Sequence, residues 1–455
     1  MALPDHGQGL AEHERDKPQE LAREAEPLRS AEEVAGHGAE TTFDLQTRPV
    51  GAARIFAALR HHDFRLFWGG QAVSLIGTWM QIVAQSWLVL TLSNSAFVLG
   101  ALGALQFLPI LALSVFGGVL ADRLPRRQVL LATQAISLVL AVVLGVLTQL
   151  GLVRIVWVML LALLLGVVNA VDMPTRQAFV VDLVAPEDLR NAIALNSAAF
   201  NSARLVGPAV AGVAIGALGL PAAFYLNGLS FIAAIAGLIF VRAGRRPVRR
   251  GVEAASVGED LREGLRYVAQ TPLVWLVIVL VALVGTFGMN FNVLVPVLAR
   301  DVLNVGASGF GVLASAAGAG SLAAALLLAY LAETPRPATL VAAAAALGVT
   351  EVLLGGVTHF DLALILLAAS GFAMIFFTTL ANTVLQTTTP DPLRGRVMSV
   401  YSTVFAGTTP IGSLIIGGLA QAYGVGVGFV AGGAISMAAA VAVALLGATV
   451  RGALR

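Results

Sequence analysis

The chain has 455 residues, 58% of them hydrophobic and 12% charged, with a formal net charge of +2. Soluble domains carry about 25% charged residues, so half that share leaves too little polar surface for a water-soluble protein of this length, and a mean hydropathy of +0.86 places most of the chain in lipid. The small net charge argues against a nucleic-acid partner, and the absence of cysteine excludes disulfides and thiolate chemistry.

Residues 1–60 hold Asp, Glu, Arg and His without the apolar core of a signal peptide, and read as a disordered cytoplasmic tail. From Leu66 onward, apolar stretches able to cross about 30 Å of hydrocarbon recur with no soluble domain between them. They fall at 66–90, 97–120, 128–150, 154–173, 191–218 and 221–241, then at 273–298, 308–331, 338–357, 361–384, 397–420 and 425–449. The expected fold is all-α and integral to the membrane, with twelve transmembrane helices in two six-helix bundles at 61–241 and 273–450. A cytoplasmic linker at 242–272 joins them, and a short tail follows at 451–455.

Arginine sets the expected orientation. Arg123, Arg126 and Arg127 lie in the connection after the second span, Arg176 and Arg190 after the fourth, and a run from Arg242 to Arg266 after the sixth. Arg336, Arg394 and Arg396 mark further connections on the same side, against only Arg154 and Arg300 on the other. Both termini are thereby expected in the cytoplasm of a multi-pass inner-membrane protein. In the linker, Leu261, Leu265 and Val268 share a helical face, which predicts a short amphipathic helix leading through Thr271-Pro272 into the seventh span.

The halves echo each other. Pro186-Glu187-Asp188-Leu189-Arg190 opens the fifth span, with Pro208 inside it; Pro390-Asp391-Pro392-Leu393-Arg394 opens the eleventh, with Pro410 at nearly the same distance. An acidic residue and a proline suit the unpaired N–H groups at a helix start. Such internal repeats build carriers around a midplane site.

Gly118-Val119-Leu120-Ala121-Asp122-Arg123-Leu124-Pro125-Arg126-Arg127 resembles the G-x-x-x-D-R-x-G-R-R signature of the major facilitator superfamily, with Pro125 in place of its last glycine. Asp172-Met173-Pro174-Thr175-Arg176-Gln177-Ala178, expected just after the fourth span, and Asn191 to Gly212 resemble the exporter branch that includes enterobactin exporters and macrolide-efflux proteins. Gly207, Pro208 and Gly212 partly match the antiporter signature, with Ala211 replacing a glycine. The resemblance implies a gating set of Gly118, Asp122, Arg123, Arg126, Arg127, Asp172, Arg176, Arg394 and Arg396, in which Gly118 allows close helix approach and Asp122 holds the inner gate.

Ionisable groups inside a membrane are costly and mark function by default. Arg204 lies about 20 Å into the fifth span, near midplane, where it either contacts cargo or bonds helix carbonyls. Asp172 sits near the inner end of its span, where pairing with Arg176 is the expected role; Glu351 lies near an outer end and is expected to turn toward the surface. These two carboxylates are the candidate proton carriers. Gln81, Gln85, Asn196, Asn201, Asn290 and Asn292, with Phe287 and Phe291, are cavity candidates on spans that line the cavity in the resembling family; helix packing accounts for some of them equally well.

No G-x-x-x-x-G-K-[ST] loop, H-E-x-x-H, Cys/His cluster or nucleophile elbow is present, so neither ATP hydrolysis, a catalytic metal nor an enzyme reaction is expected. The resemblance implies a secondary transporter, without cofactor and monomeric, that exports a small amphiphilic molecule such as a siderophore or macrolide by alternating access, coupled by proton antiport. A lipid or lysophospholipid flippase on the same fold is the alternative.

Overall fold

The computed structural model describes residues 56–242, 257–331 and 337–453. Most of the N-terminal tail, the linker before Val257, the connection at 332–336 and the last residues lie outside the described set, as does the side chain of Asp122. Hydrocarbon offers no hydrogen-bonding solvent, so each crossing segment must satisfy its own backbone, and an apolar chain does so as helix. After a short turn at Ala57–Arg60 come α1 (His62–Ser93), α2 (Ala96–Arg123), α3 (Arg126–Gln149), α4 (Ile155–Leu183), α5 (Leu189–Leu218) and α6 (Leu220–Phe240). The second half holds α7 (Val257–Gln270), α8 (Pro272–Gly288), α9 (Phe291–Val297), α10 (Ala307–Leu331), α11 (Pro337–Leu354), α12 (Phe360–Thr388), α13 (Asp391–Tyr423) and α14 (Val425–Ala453).

Among the described residues, eleven segments are long and apolar enough to cross a membrane, with α8, α9 and a π-helical turn at Leu298–Val302 counted as one crossing. The twelfth, α11, is shorter. Large apolar side chains such as Phe116, Val213, Ile365 and Leu445 stand exposed, as suits a chain whose solvent is largely lipid.

Packing repeats between halves. In the first, α1 packs on α6 and α5, α2 on α4, and α3 on α6; in the second, α8 packs on α14 and α13, α10 on α12, and α11 on α14. The tight turns correspond too. Gly219 (φ 83°, ψ 169°) joins α5 to α6 and Gly424 (φ 92°, ψ 157°) joins α13 to α14, a backbone region open essentially to glycine alone. The halves meet along two long seams, α2 with α13 and α5 with α10.

Four local features depart from the sequence expectations. α4 does not end near Met173 but continues through Pro174 to Leu183. Proline has no N–H, which frees the carbonyl four residues earlier, here that of Ala170; Gly117 of α2 lies against this carbonyl, and a methyl on Gly117 would come within 2.1 Å of it. That close approach was expected at Gly118, which has nothing within 4 Å. One residue turns the facing direction by about 100° around a helix, which is enough to move the contact. The seventh crossing breaks at Met289 and Asn290, both outside helical backbone geometry, and the amide of Asn290 donates to the carbonyls of Thr286 and Phe287 that the break exposes. On α7, Val268 is buried while Leu265 is 51% exposed, so the apolar face turns on Gly264 and Val268 rather than on Leu265; Leu261 has its side chain outside the described set.

Candidate transport site and gates

The contacts between halves concentrate at one end of the bundle. There Arg300 donates to the carbonyl of Leu90 (3.0 Å), the backbone N–H of Ala96 donates to Gln421 (2.8 Å), and Ser308 donates to the carbonyl of Gly212 (2.8 Å). Trp87 stacks on Phe310 with centroids 6.1 Å apart. Glycines let the backbones touch: a methyl on Gly100 would meet the Ser413 carbonyl at 2.2 Å, and one on Gly311 the Pro208 carbonyl at 2.5 Å. Small residues at such seams are how helices associate in lipid, where apolar side chains gain little by meeting each other.

At the opposite end several polar contacts lie within a half. His61 meets Asp188 at 2.8 Å and Arg126 meets Asp182 at 2.8 Å. Arg127 donates to the carbonyls of Leu238 and Ile239 at the C-terminal end of α6, where a cation also suits the helix dipole. In the second half Arg396 meets Glu263 of α7 at 2.7 Å, and Arg394 meets Asp391 at 2.5 Å while donating to the Gln386 carbonyl. The chain is therefore closed at the end bearing Leu90 and Gly219. Arg123 is exposed.

Between the two ends lies Arg204, half-buried on α5. Its guanidinium carbon sits 5.4 Å above the Trp79 ring, a favourable cation–π geometry, and Nη2 approaches the Met374 sulfur of α12 at 3.7 Å. Phe200, one turn before Arg204 and 46% exposed, meets Trp79 edge-on at 5.6 Å. No carboxylate among the described residues pairs with Arg204. Pro208 frees the Arg204 carbonyl, and Gly318 of α10 packs against it. A cation, two aromatic rings and a thioether thus gather where the halves meet. Trp79, Phe200 and Met374 went unmarked in the sequence because apolar and aromatic residues are ordinary in every span; the i, i+4 spacing of Phe200 and Arg204 was the signal available.

The amides sort differently from one another. Gln81 accepts from Asn227 at 2.5 Å and Gln85 accepts from Gln106 at 3.3 Å, both within the first half. Asn201 donates to the Ser197 carbonyl while its own Oδ1 is buried without a partner. Asn196 is half-buried, Asn290 caps α8, Asn292 is exposed, Phe287 is half-buried and Phe291 is 9% exposed. Among the described residues none of them hydrogen-bonds Arg204, although Asn201 lies one turn before it on α5. Gly207 and Gly212 instead serve helix contact, Gly207 against Trp79 and Met80 of α1 and Gly212 against Ser308.

Asp172 and Arg176 pair across one turn of the continuous α4. Asp172 is 2% exposed and also accepts from Thr133 (2.6 Å) and Gln134 (2.9 Å) of α3. Glu351 departs from expectation. Rather than turning outward, it is 1% exposed and continues the buried stripe Leu340, Ala344, Leu347 and Leu354 of α11. Its position follows from that 3.6-residue periodicity, a signal present in the sequence. Among the described residues no group of His, Cys, Asp or Glu is arranged to hold a metal ion.

The family model described as transmembrane secretion effector matches residues 53–451. The chain is 30% identical over 364 residues to the multidrug efflux pump Tap of Mycolicibacterium fortuitum, covering 78% of this chain and 88% of that protein. It is 26% identical to the staphyloferrin A transporter of Staphylococcus aureus, covering 79% and 90% respectively. Among solved structures, a bacterial homologue of the human lysosomal transporter Spinster, in an inward-facing unoccupied conformation, superposes with a TM-score of 0.64 at 15% identity, covering 88% of this chain and 96% of that one.

Proposed function

Because the chain belongs to the transmembrane secretion effector family of major facilitator transporters, and is a multi-pass membrane transporter rather than an enzyme, we propose that it exports a neutral or anionic amphiphilic small molecule by alternating access, with protons moving the other way. The observation that carries this reading is the Arg204 cluster at the meeting of the halves, a cation with aromatic neighbours and no carboxylate counterpart. A permanently cationic cargo there would face a like charge in a low-dielectric setting, whereas an anion or a polar neutral molecule meets donors. Multidrug efflux and staphyloferrin transport are named for two relatives.

Arginine asymmetry supports placing both termini in the cytoplasm, so that the closed end faces outward and cargo enters from inside. The flippase reading would draw on an apolar groove of about 390 Å³ between α2, α3 and α4, lined by Leu124, Pro125, Val129 and Val171 among others. That groove lies within the first half and does not include Arg204. The deciding experiment is uptake into inverted vesicles, the direction an exporter drives there, across ethidium, uncharged chloramphenicol, a catecholate siderophore and a fluorescent lysophospholipid. Export of the neutral or anionic compounds is the expected result; transport of ethidium or the lysolipid alone would overturn it.

A further inference from the structure

Glu351 has no role in the Arg204 site, yet its surroundings are unusual. Its Oε2 is buried and has no hydrogen-bond partner among the described residues. The carboxyl lies in a niche between two glycine surfaces: a methyl added at Gly288 of α8 or at Gly432 of α14 would come within 3.4 Å of Oε2. Ser436, whose Oγ the same methyl at Gly288 would meet at 2.5 Å, already spends its hydroxyl proton on the Gly432 carbonyl. Gly288 is the last residue of α8, so the niche abuts the break at Met289 and Asn290 in the seventh crossing.

Among the described residues no charge compensates it. α8 and α9 carry no acidic or basic side chain, α14 holds only Arg451 near its C-terminal end, with its side chain outside the described set, α11 carries none besides Glu351, and α12 holds only Asp361 at its first turn. Arg300 and Asp301, farther along the seventh crossing, pair with each other; His359, before α12, bonds Thr358. An unpaired carboxylate is among the most costly groups to hold away from water, while a neutral carboxyl costs far less. Asp172, the other carboxylate considered, contrasts with it, since three side-chain donors converge there.

We propose that Glu351 is a proton-binding site coupled to the break in the seventh crossing: the niche holds the carboxyl with its proton while α8, α11 and α14 are packed, and proton loss requires that packing to open to water. The site deepens the proton-antiport reading and supplies its carrier, a proton entering at the outer side and leaving inward as the crossing rearranges. Linkage makes the coupling reciprocal, so opening at the break and proton release favour each other.

The chain contains no cysteine, so Met289→Cys places a single thiol at the break. Full-length protein in phosphatidylethanolamine–phosphatidylglycerol liposomes is labelled with a water-soluble maleimide from mildly acidic to mildly alkaline pH, alongside the same protein carrying Glu351→Gln. The two share their thiol chemistry, so the ratio of their rates isolates the carboxyl. It is expected to rise about tenfold in favour of the protein retaining Glu351, and Glu351→Asp is expected to keep the rise. A flat ratio overturns the proposal without reference to any cargo. In inverted vesicles, Glu351→Gln is expected to abolish pH-gradient-driven accumulation of uncharged chloramphenicol while preserving gradient-free exchange of labelled for unlabelled chloramphenicol; surviving accumulation overturns the coupling. A rising ratio with no transport of any compound in the efflux panel supports the proton site and instead refutes the exporter reading.

Discussion

Arg204 holds its guanidinium carbon 5.4 Å above the ring of Trp79, so a cation of the first half is cradled by that half while its tip reaches Met374 of the second. Arg204→Gln keeps a polar donor but removes the charge and the cation–π contact, together about 1–2 kcal/mol at a partly dry site. Export of an anionic or polar neutral compound is expected to fall about tenfold, with protein abundance unchanged on a membrane immunoblot. Undiminished transport by this variant would remove Arg204 from the cargo path.

Two adjacent glycines give a sharper structural contrast. Alanine at Gly117 would press a methyl into the Ala170 carbonyl and the Val171 backbone, which cannot swing away as a side chain would. Gly117→Ala is expected to destabilise the protein by about 1–3 kcal/mol. Gly118→Ala, into open space, should stay within about 0.5 kcal/mol. Thermal unfolding of both detergent-purified variants by size-exclusion profile checks this, and equal melting temperatures would contradict the packing of α2 on α4.

Arg300 fastens the closed end through the Leu90 carbonyl. Arg300→Ala removes a charge-assisted hydrogen bond contributing about 1.5–3 kcal/mol, which is expected to raise the population open at that end about tenfold or more. Spin labels at Leu92→Cys and Gly306→Cys, one on each half at that end, report it as a longer-distance population in pulsed electron resonance. An unchanged distance distribution would show that the seams alone hold this end shut.

The topology is tested by fusion. A periplasm-active phosphatase joined after Arg455 is expected to be inactive, and one joined at His359, in the turn between α11 and α12, to be active. Activity after Arg455 would invert the orientation and with it the direction assigned to the closed end.

The sequence by itself determined the membrane solvent, the positions of the crossings, the division into two related halves and the family, because hydropathy and turn residues are properties of consecutive residues. The proline-led starts of α5 and α13 belong to this class. Only the tertiary structure decided which way each helix faces. Lipid is as apolar as a protein interior, so an apolar span carries little amphipathic signal to distinguish its packed side from its lipid side, and an error of one residue turns the face by about 100°. That is why the close approach fell at Gly117 rather than Gly118, and why the Arg204 partners Trp79 and Met374, far apart in sequence, were not foreseeable. The fourth span, expected at 154–173, runs on through Pro174, where Gly117, a residue of another helix that no local rule sees, packs against the carbonyl the proline frees. Glu351 is the converse case: its place in the 3.6-residue stripe was legible on α11, and the helix break it faces on α8 was not.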